Sequence, residues 1–153
     1  MRLLAARALA LLLAGCADTP STSPSPVFPA DYADRYVEVR SCRKSADHEL
    51  EHVRVLADSD ALGPYEDRSG DFPDGAIVLK EQYDASDSTC SGPIAQWTVM
   101  QKNGEASTRL NWNWQRVTAN RRVVETNAAS CHGCHAGCSG EPQAGYDFTC
   151  ADP

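Results

Sequence analysis

The chain has no long apolar run. Its most hydrophobic stretch, Ala8 to Gly15 within MRLLAARALALLLAG, is too short to cross a bilayer as a permanent helix. Basic residues are in deficit: 14 Lys and Arg stand against 21 Asp and Glu, a formal charge of −7 over 153 residues. A surface this acidic argues against nucleic acid and against anionic lipid as direct partners. It suits a basic redox partner protein or a cationic substrate, or serves only to keep the domain soluble. Methionine is scarce as well, with Met100 the one that remains beyond Met1. No internal repeat and no second linker interrupt the body of the chain, which fits one compact domain.

What is present begins with a charged leader. Arg2 and Arg7 precede the uncharged run, the pattern of an export signal. The run ends in Leu13-Ala14-Gly15-Cys16, which resembles the lipobox of bacterial lipoproteins. The resemblance implies that residues 1–15 are a signal peptide and that Cys16 is acylated. The protein would then be anchored to the bacterial cell envelope by lipid, on its periplasmic or cell-surface side, rather than spanning the membrane. Processing removes two arginines, leaving twelve basic residues against 21 acidic ones, or −9. Residues 17–29, ADTPSTSPSPVFP, hold four prolines and five Ser/Thr and read as a tether reaching about 40 Å. Residues 30–153 form the domain.

The middle of the chain reads as strands. LNWNWQRV, from Leu110 to Val117, alternates and puts Leu110, Trp112 and Trp114 on one face. Trp97 to Met100, His52 to Leu56 and Arg122 to Thr126 are further candidates. Gly75 to Tyr83, GAIVLKEQY, is the strongest, bounded by Pro73-Asp74-Gly75 and by Asp84-Ala85-Ser86-Asp87. Helix signals are weak. Asp58 to Arg68 allows a short helix, interrupted by Gly63-Pro64. The expectation is a mainly β, antiparallel domain with one or two short helices, its aromatic stripe serving as core.

Seven cysteines are unusual for a chain of this length. With Cys16 assigned to lipid, Cys42, Cys90, Cys131, Cys134, Cys138 and Cys150 remain, an even number in an exported, oxidising setting. Three of them crowd into SCHGCHAGCSG, residues 130–140, where Cys131-His132-Gly133-Cys134-His135 is C-x-x-C-H. Two thiols at this spacing reach the two vinyl groups of a haem to form thioethers, and the adjacent histidine becomes the axial iron ligand. His132, between them, points to solvent. Two rivals stand beside haem c. Cys131, His132, Cys134, His135 and Cys138 are all acceptable zinc or copper ligands. Alternatively, every cysteine is in a disulfide and there is no cofactor. If haem takes Cys131 and Cys134, the other four allow three pairings. Cys138 with Cys150 and Cys42 with Cys90 is the favoured one, each bridge worth about 2–4 kcal/mol.

Lys80 is the second oddity. It lies inside the strongest strand, sharing a face with Ala76, Val78 and Gln82, while Ile77 and Leu79 point the other way. Lysines in strands usually mark a solvated face or a protected edge. Here both faces are apolar, which implies that Lys80 approaches something buried.

The stretch from His52 to Tyr83, followed by the C-terminal C-x-x-C-H and by Asp147-Phe148-Thr149, resembles the cytochrome P-460 family of small, exported, mainly-β haem c proteins. Enzymes of that family carry a lysine in the matching strand, bonded covalently to the haem macrocycle. The resemblance implies that Lys80 is the cross-linking residue, Cys131 and Cys134 the thioether sites and His135 the proximal ligand. Cross-linked members oxidise hydroxylamine at an open iron position, and uncross-linked relatives, the β-fold cytochromes c′, bind nitric oxide. Relatives often pair as homodimers, although no stretch here marks a self-complementary surface. Two departures stand out. The distal carboxylate expected on the strand after Cys90 is missing from AQWTVMQK, residues 95–102, with Glu105 a substitute; and four cysteines are additional.

Three function classes follow. The first is an enzyme or ligand sensor with an open iron site, taking a small nitrogen compound. The second is an electron carrier, which needs a second axial ligand from Met100, His48 or His52. A lone strand methionine is more often packing, and His48 and His52 lie among acidic residues in DHELEH and read as exposed. The third is a lipoprotein without catalysis, including a haem-free, disulfide-stabilised form.

Overall fold

The computed structural model describes residues 23–46, 48, 51–104, 110–138 and 145–150. The signal segment, Cys16 and Glu105 lie outside these. Six strands form one antiparallel sheet in chain order: β1 (Val37–Lys44), β2 (His52–Ala57), β3 (Ile77–Tyr83), β4 (Ile94–Lys102), β5 (Trp112–Thr118) and β6 (Val123–Thr126). Two helices accompany them, α1 (Ser59–Asp67) and α2 (Ala129–His135). The mainly β, single-domain expectation holds, and each strand candidate falls on a strand.

β3 lies between β2 and β4 and is buried on both faces, which explains its run of Ile, Val and Leu. Its alternation splits the core. Val78 packs with Val55, Ala57, Met100, Trp112 and Trp114 beneath α1. Ile77 and Leu79 pack on the opposite face with Phe28, Tyr32, Trp97, Val99 and Val117. Phe28 is 2% exposed, so the packed domain begins before residue 30. Arg121 holds Phe28 by donating to its carbonyl at 2.7 Å and lying 4.4 Å over its ring.

Three local outcomes differ from the sequence expectation. α1 runs through Gly63-Pro64. Asp58 caps it, accepting from the Ala61 amide at 2.8 Å, and Ala61 and Tyr65 are buried against the sheet; that anchoring outweighs the one hydrogen bond the proline removes. β5 starts two residues late, because Leu110 and Asn111 adopt positive φ, although Leu110 still packs on the Trp112 face. The C-x-x-C-H run, which carried no helix signal, forms α2.

Both favoured disulfides are formed. Cys42–Cys90 joins β1 to the loop after β3, and Cys138–Cys150 joins the end of α2 to the C-terminal segment. Cys131 and Cys134 are the free pair among the described residues.

Candidate functional site

One register row crosses all six strands: Arg40, Val55, Lys80, Thr98, Arg116 and Glu125 are successive cross-strand partners. Directly paired residues share a face, so this row defines the Lys80 face of the sheet. Glu125 lies three strand spacings from Lys80, about 14 Å. It is joined to Arg116 by a 2.6 Å ion pair. Three cations, Arg40, Lys80 and Arg116, therefore sit on one face of an acidic protein.

α2 lies over the same face. Cys131, Cys134 and His135 are spaced i, i+3 and i+4, which puts both thiols and the imidazole on one side of the helix. Cys131 packs against the Val78–Trp114 cluster. Burial, with the Glu125 carboxylate adding to it, holds the Cys131 thiol above its usual range. The His135 ring meets Trp114 edge-on, with centroids 4.7 Å apart. Asn127 sets the helix there: at φ 53° it turns the chain out of β6, and it exchanges two hydrogen bonds with the Trp114 backbone, each 2.9 Å.

The surroundings of His135 are built by the C-terminal segment. His135 Nδ1 lies 2.6 Å from the Phe148 carbonyl oxygen and donates to it, which commits this ring nitrogen and leaves Nε2 as the one a metal could take. Cys150 Sγ is 3.4 Å from the same nitrogen. The carbonyl is fixed from several sides. The Phe148 amide donates to the Cys138 carbonyl at 2.8 Å. Lys102 pairs with Asp147 at 2.5 Å, and Trp112 Nε1 donates to the Asp147 carbonyl at 3.0 Å. Arg68 reaches the Gly145 carbonyl at 3.1 Å. A cavity of about 340 Å³ opens beside this segment, between Gly70, Lys102, Tyr146 and Phe148.

Lys80 is part-buried, and its Nζ lies 2.7 Å from His48 Nε2. The other ring nitrogen of His48 is 3.1 Å from Gln82 Nε2. Sequence reading placed His48 at the surface; the loop between β1 and β2 instead folds it onto the Lys80 face. His52 faces the other way, as the cross-strand partner of Tyr83, with its Nδ1 buried. Met100 is 7% exposed within the core cluster. His132 is partly covered rather than fully exposed.

Behind Lys80, on the opposite face, lies a network that sequence reading missed. Glu81 is 1% exposed and accepts from Tyr32 Oη at 2.6 Å, Tyr83 Oη at 2.7 Å and Arg54 Nε at 2.6 Å. Trp97 Nε1 in turn donates to Tyr32 Oη at 3.1 Å. The signal available was an acid at an apolar strand's inward position. β4 carries no acid, as the sequence indicates, and Glu125 is a carboxylate in the Lys80 row.

The donor set fits a haem better than a zinc or copper ion. No cluster of three or more His, Cys, Asp or Glu has metal-holding geometry among the described residues. Two free thiols three residues apart and an imidazole with its Nδ1 already engaged match the covalent and axial contacts of a c-type haem. No curated protein matches the chain. The family model for Cytochrome P460 matches residues 29–144, a span that includes all six strands, Lys80 and the C-x-x-C-H helix. Proteins of this family bind haem and are generally exported. The chain therefore belongs to the cytochrome P460 family.

Proposed function

We propose that this is a lipid-anchored haem c protein that binds or oxidises a small nitrogen compound, hydroxylamine or nitric oxide, at an open iron position. The observation that carries it is the joint presentation of Cys131, Cys134 and His135 on one side of α2, with Cys131 and His135 packed against the Lys80 face and Cys134 exposed beside them. Cys131 and Cys134 hold the haem through thioethers, His135 Nε2 is the proximal ligand, and Lys80 is the cross-linking residue. Arg40 and Arg116 are the side chains on this face suited to the haem carboxylates. Bound there, the haem supplies an iron that takes the nitrogen compound and accepts its electrons.

The open position is supported by the commitments of the alternative ligands. Met100 is packed into the core cluster with Val78 and Trp114, His52 faces the other side of the sheet and His48 is engaged by Lys80 and Gln82. A six-coordinate electron carrier would have to break one of these arrangements. Lipidation at Cys16 would hold the domain at the envelope, where a redox partner protein would receive the electrons.

The test is the absorption spectrum of the domain without Cys16, matured in an exporting host that attaches haem c. A strongly red-shifted reduced Soret band that disappears in Lys80→Ala supports the cross-linked reading. An ordinary c-type spectrum rejects the cross-link, and nitric oxide binding then separates an open site from a six-coordinate carrier. Folded protein without haem would overturn the proposal.

A further inference from the structure

The contact between Lys80 and His48 has a chemical use. A lysine can form a bond to a haem carbon only as the neutral amine, because the ammonium has no lone pair. The ordinary lysine value, about 10.4, leaves very little amine at neutral pH. His48 Nε2, 2.7 Å from Nζ, is within proton-transfer distance. Its Nδ1 is held by Gln82, which is 1% exposed and sits two residues along the same strand face.

Gln82 serves both proton arrangements of the ring. With its Nε2 donating to His48 Nδ1, the ring proton is on His48 Nε2 and points at the lone pair of a neutral Lys80 amine. With the amide turned over, its oxygen accepts from Nδ1–H, and Nε2 accepts from a Lys80 ammonium. The Gln82 oxygen is buried and unpartnered in the first arrangement, so the second gives it a partner. Among the described residues, like charges flank Lys80 in its register row. Arg40 and Arg116 stand two strand spacings away on either side, about 10 Å. Arg43 also pairs onto this face, and the carboxylate of the row, Glu125, is tied to Arg116. The remaining row partners, Val55 and Thr98, do not titrate.

We propose that His48 positions the Lys80 amine and takes its proton, making His48 the residue that permits the haem cross-link to form. This rests on the reading of Lys80 as the cross-linking residue. In the step, the amine nitrogen bonds to a haem carbon in place of that carbon's hydrogen. Counted from the neutral amine, after His48 has taken the ammonium proton, two electrons and two protons leave, and hydrogen peroxide accepts both and is reduced to two molecules of water. His48 passes the first proton on, and Gln82 keeps the ring oriented throughout.

The test compares wild type, His48→Ala, His48→Gln and Lys80→Ala as holoproteins carrying haem on Cys131 and Cys134. Peptide mass mapping reads the fraction of haem peptide that also carries the Lys80 peptide, normalised to haem content. Wild type is expected to be linked and Lys80→Ala unlinked. Unlinked His48→Ala, incubated with peroxide, should form the bond on the order of a hundred-fold more slowly at neutral pH. Its rate should climb toward that of wild type as pH approaches about 10, where lysine deprotonates unaided. His48→Gln can hold the amine but cannot take its proton, so it should show the same slow, alkaline-rescued reaction and keeps the test valid if the alanine variant does not fold. Full linkage of either variant at neutral pH overturns the role of His48 while leaving Lys80 in place. An unlinked wild type overturns the reading of Lys80 itself.

Discussion

His135 Nδ1 and the Phe148 carbonyl oxygen are 2.6 Å apart, and the Cys138–Cys150 disulfide closes the loop that holds them together. A hydrogen bond from Nδ1 to a backbone carbonyl makes an axial histidine a stronger donor to iron and favours the oxidised metal. Removing the bridge with Cys138→Ser/Cys150→Ser should loosen the carbonyl and move the haem midpoint potential upward by tens of millivolts. For a one-electron couple, about 59 mV corresponds to a tenfold change in relative stability. Redox titration of the two holoproteins checks the direction. A downward shift would contradict the assignment of Phe148 as the acceptor.

The other disulfide should behave differently. Cys42–Cys90 closes 48 residues against 12 for Cys138–Cys150. Chain entropy then makes it worth about 4 kcal/mol against about 3 kcal/mol. Cys42→Ser/Cys90→Ser should therefore lower the denaturation midpoint more while leaving the potential nearly unmoved. Denaturant titration and potentiometry on both double variants separate the two effects.

Gly145→Ala tests the same clamp without touching sulfur. Gly145 has φ 114°, and a Cβ there would meet the Cys138 Cβ at 2.9 Å and the Cys150 backbone at 3.0 Å. Neither neighbour is a flexible side-chain end, so backbone strain of about 1–3 kcal/mol adds to the clash. The variant should melt earlier and shift the potential in the same direction as Cys138→Ser/Cys150→Ser. Loss of stability with an unchanged potential would show that the segment moves without releasing Phe148.

Residue patterns made the sheet and much of the site legible for identifiable reasons. Period-two alternation located β2, β5 and β6, an apolar run bounded by turn residues located β3, and the face assignment of Lys80 with Val78 and Gln82 is that of the structure. The C-x-x-C-H spacing marked Cys131, Cys134 and His135, and simple loop closure favoured the two bridges that are formed. Contacts between distant segments left no local trace. His48 meets Lys80 across 32 positions, and Tyr32 reaches Glu81 across 49. Phe28 looked like part of a polar tether because its burial depends on Arg121, which is 93 positions away. The sheet register, which leaves no local trace, also brings Glu125 into the Lys80 row from β6.

The network behind Lys80 should reveal itself in alkali. Burial, reinforced by the hydrogen bond to Glu81, pushes the Tyr32 phenol up to about 12, and burial does the same for Tyr36. Tyr83 is raised as well, by burial and then by Glu81. An unfolded tyrosine ionises near 10, so the folded state holds these protons more tightly. Their contribution to stability is then complete below about pH 10 and is lost as pH rises through about 12. Tyrosinate absorbance should show part of the tyrosine titrating late and in step with unfolding. Tyr32→Phe should remove its share of that late titration. It should also cost about 1–3 kcal/mol at neutral pH, because Trp97 Nε1 loses its acceptor and Glu81 one of its donors. A Tyr32 phenol ionising near 10 in the folded protein would mean that Glu81 is not held in the arrangement that backs the Lys80 strand.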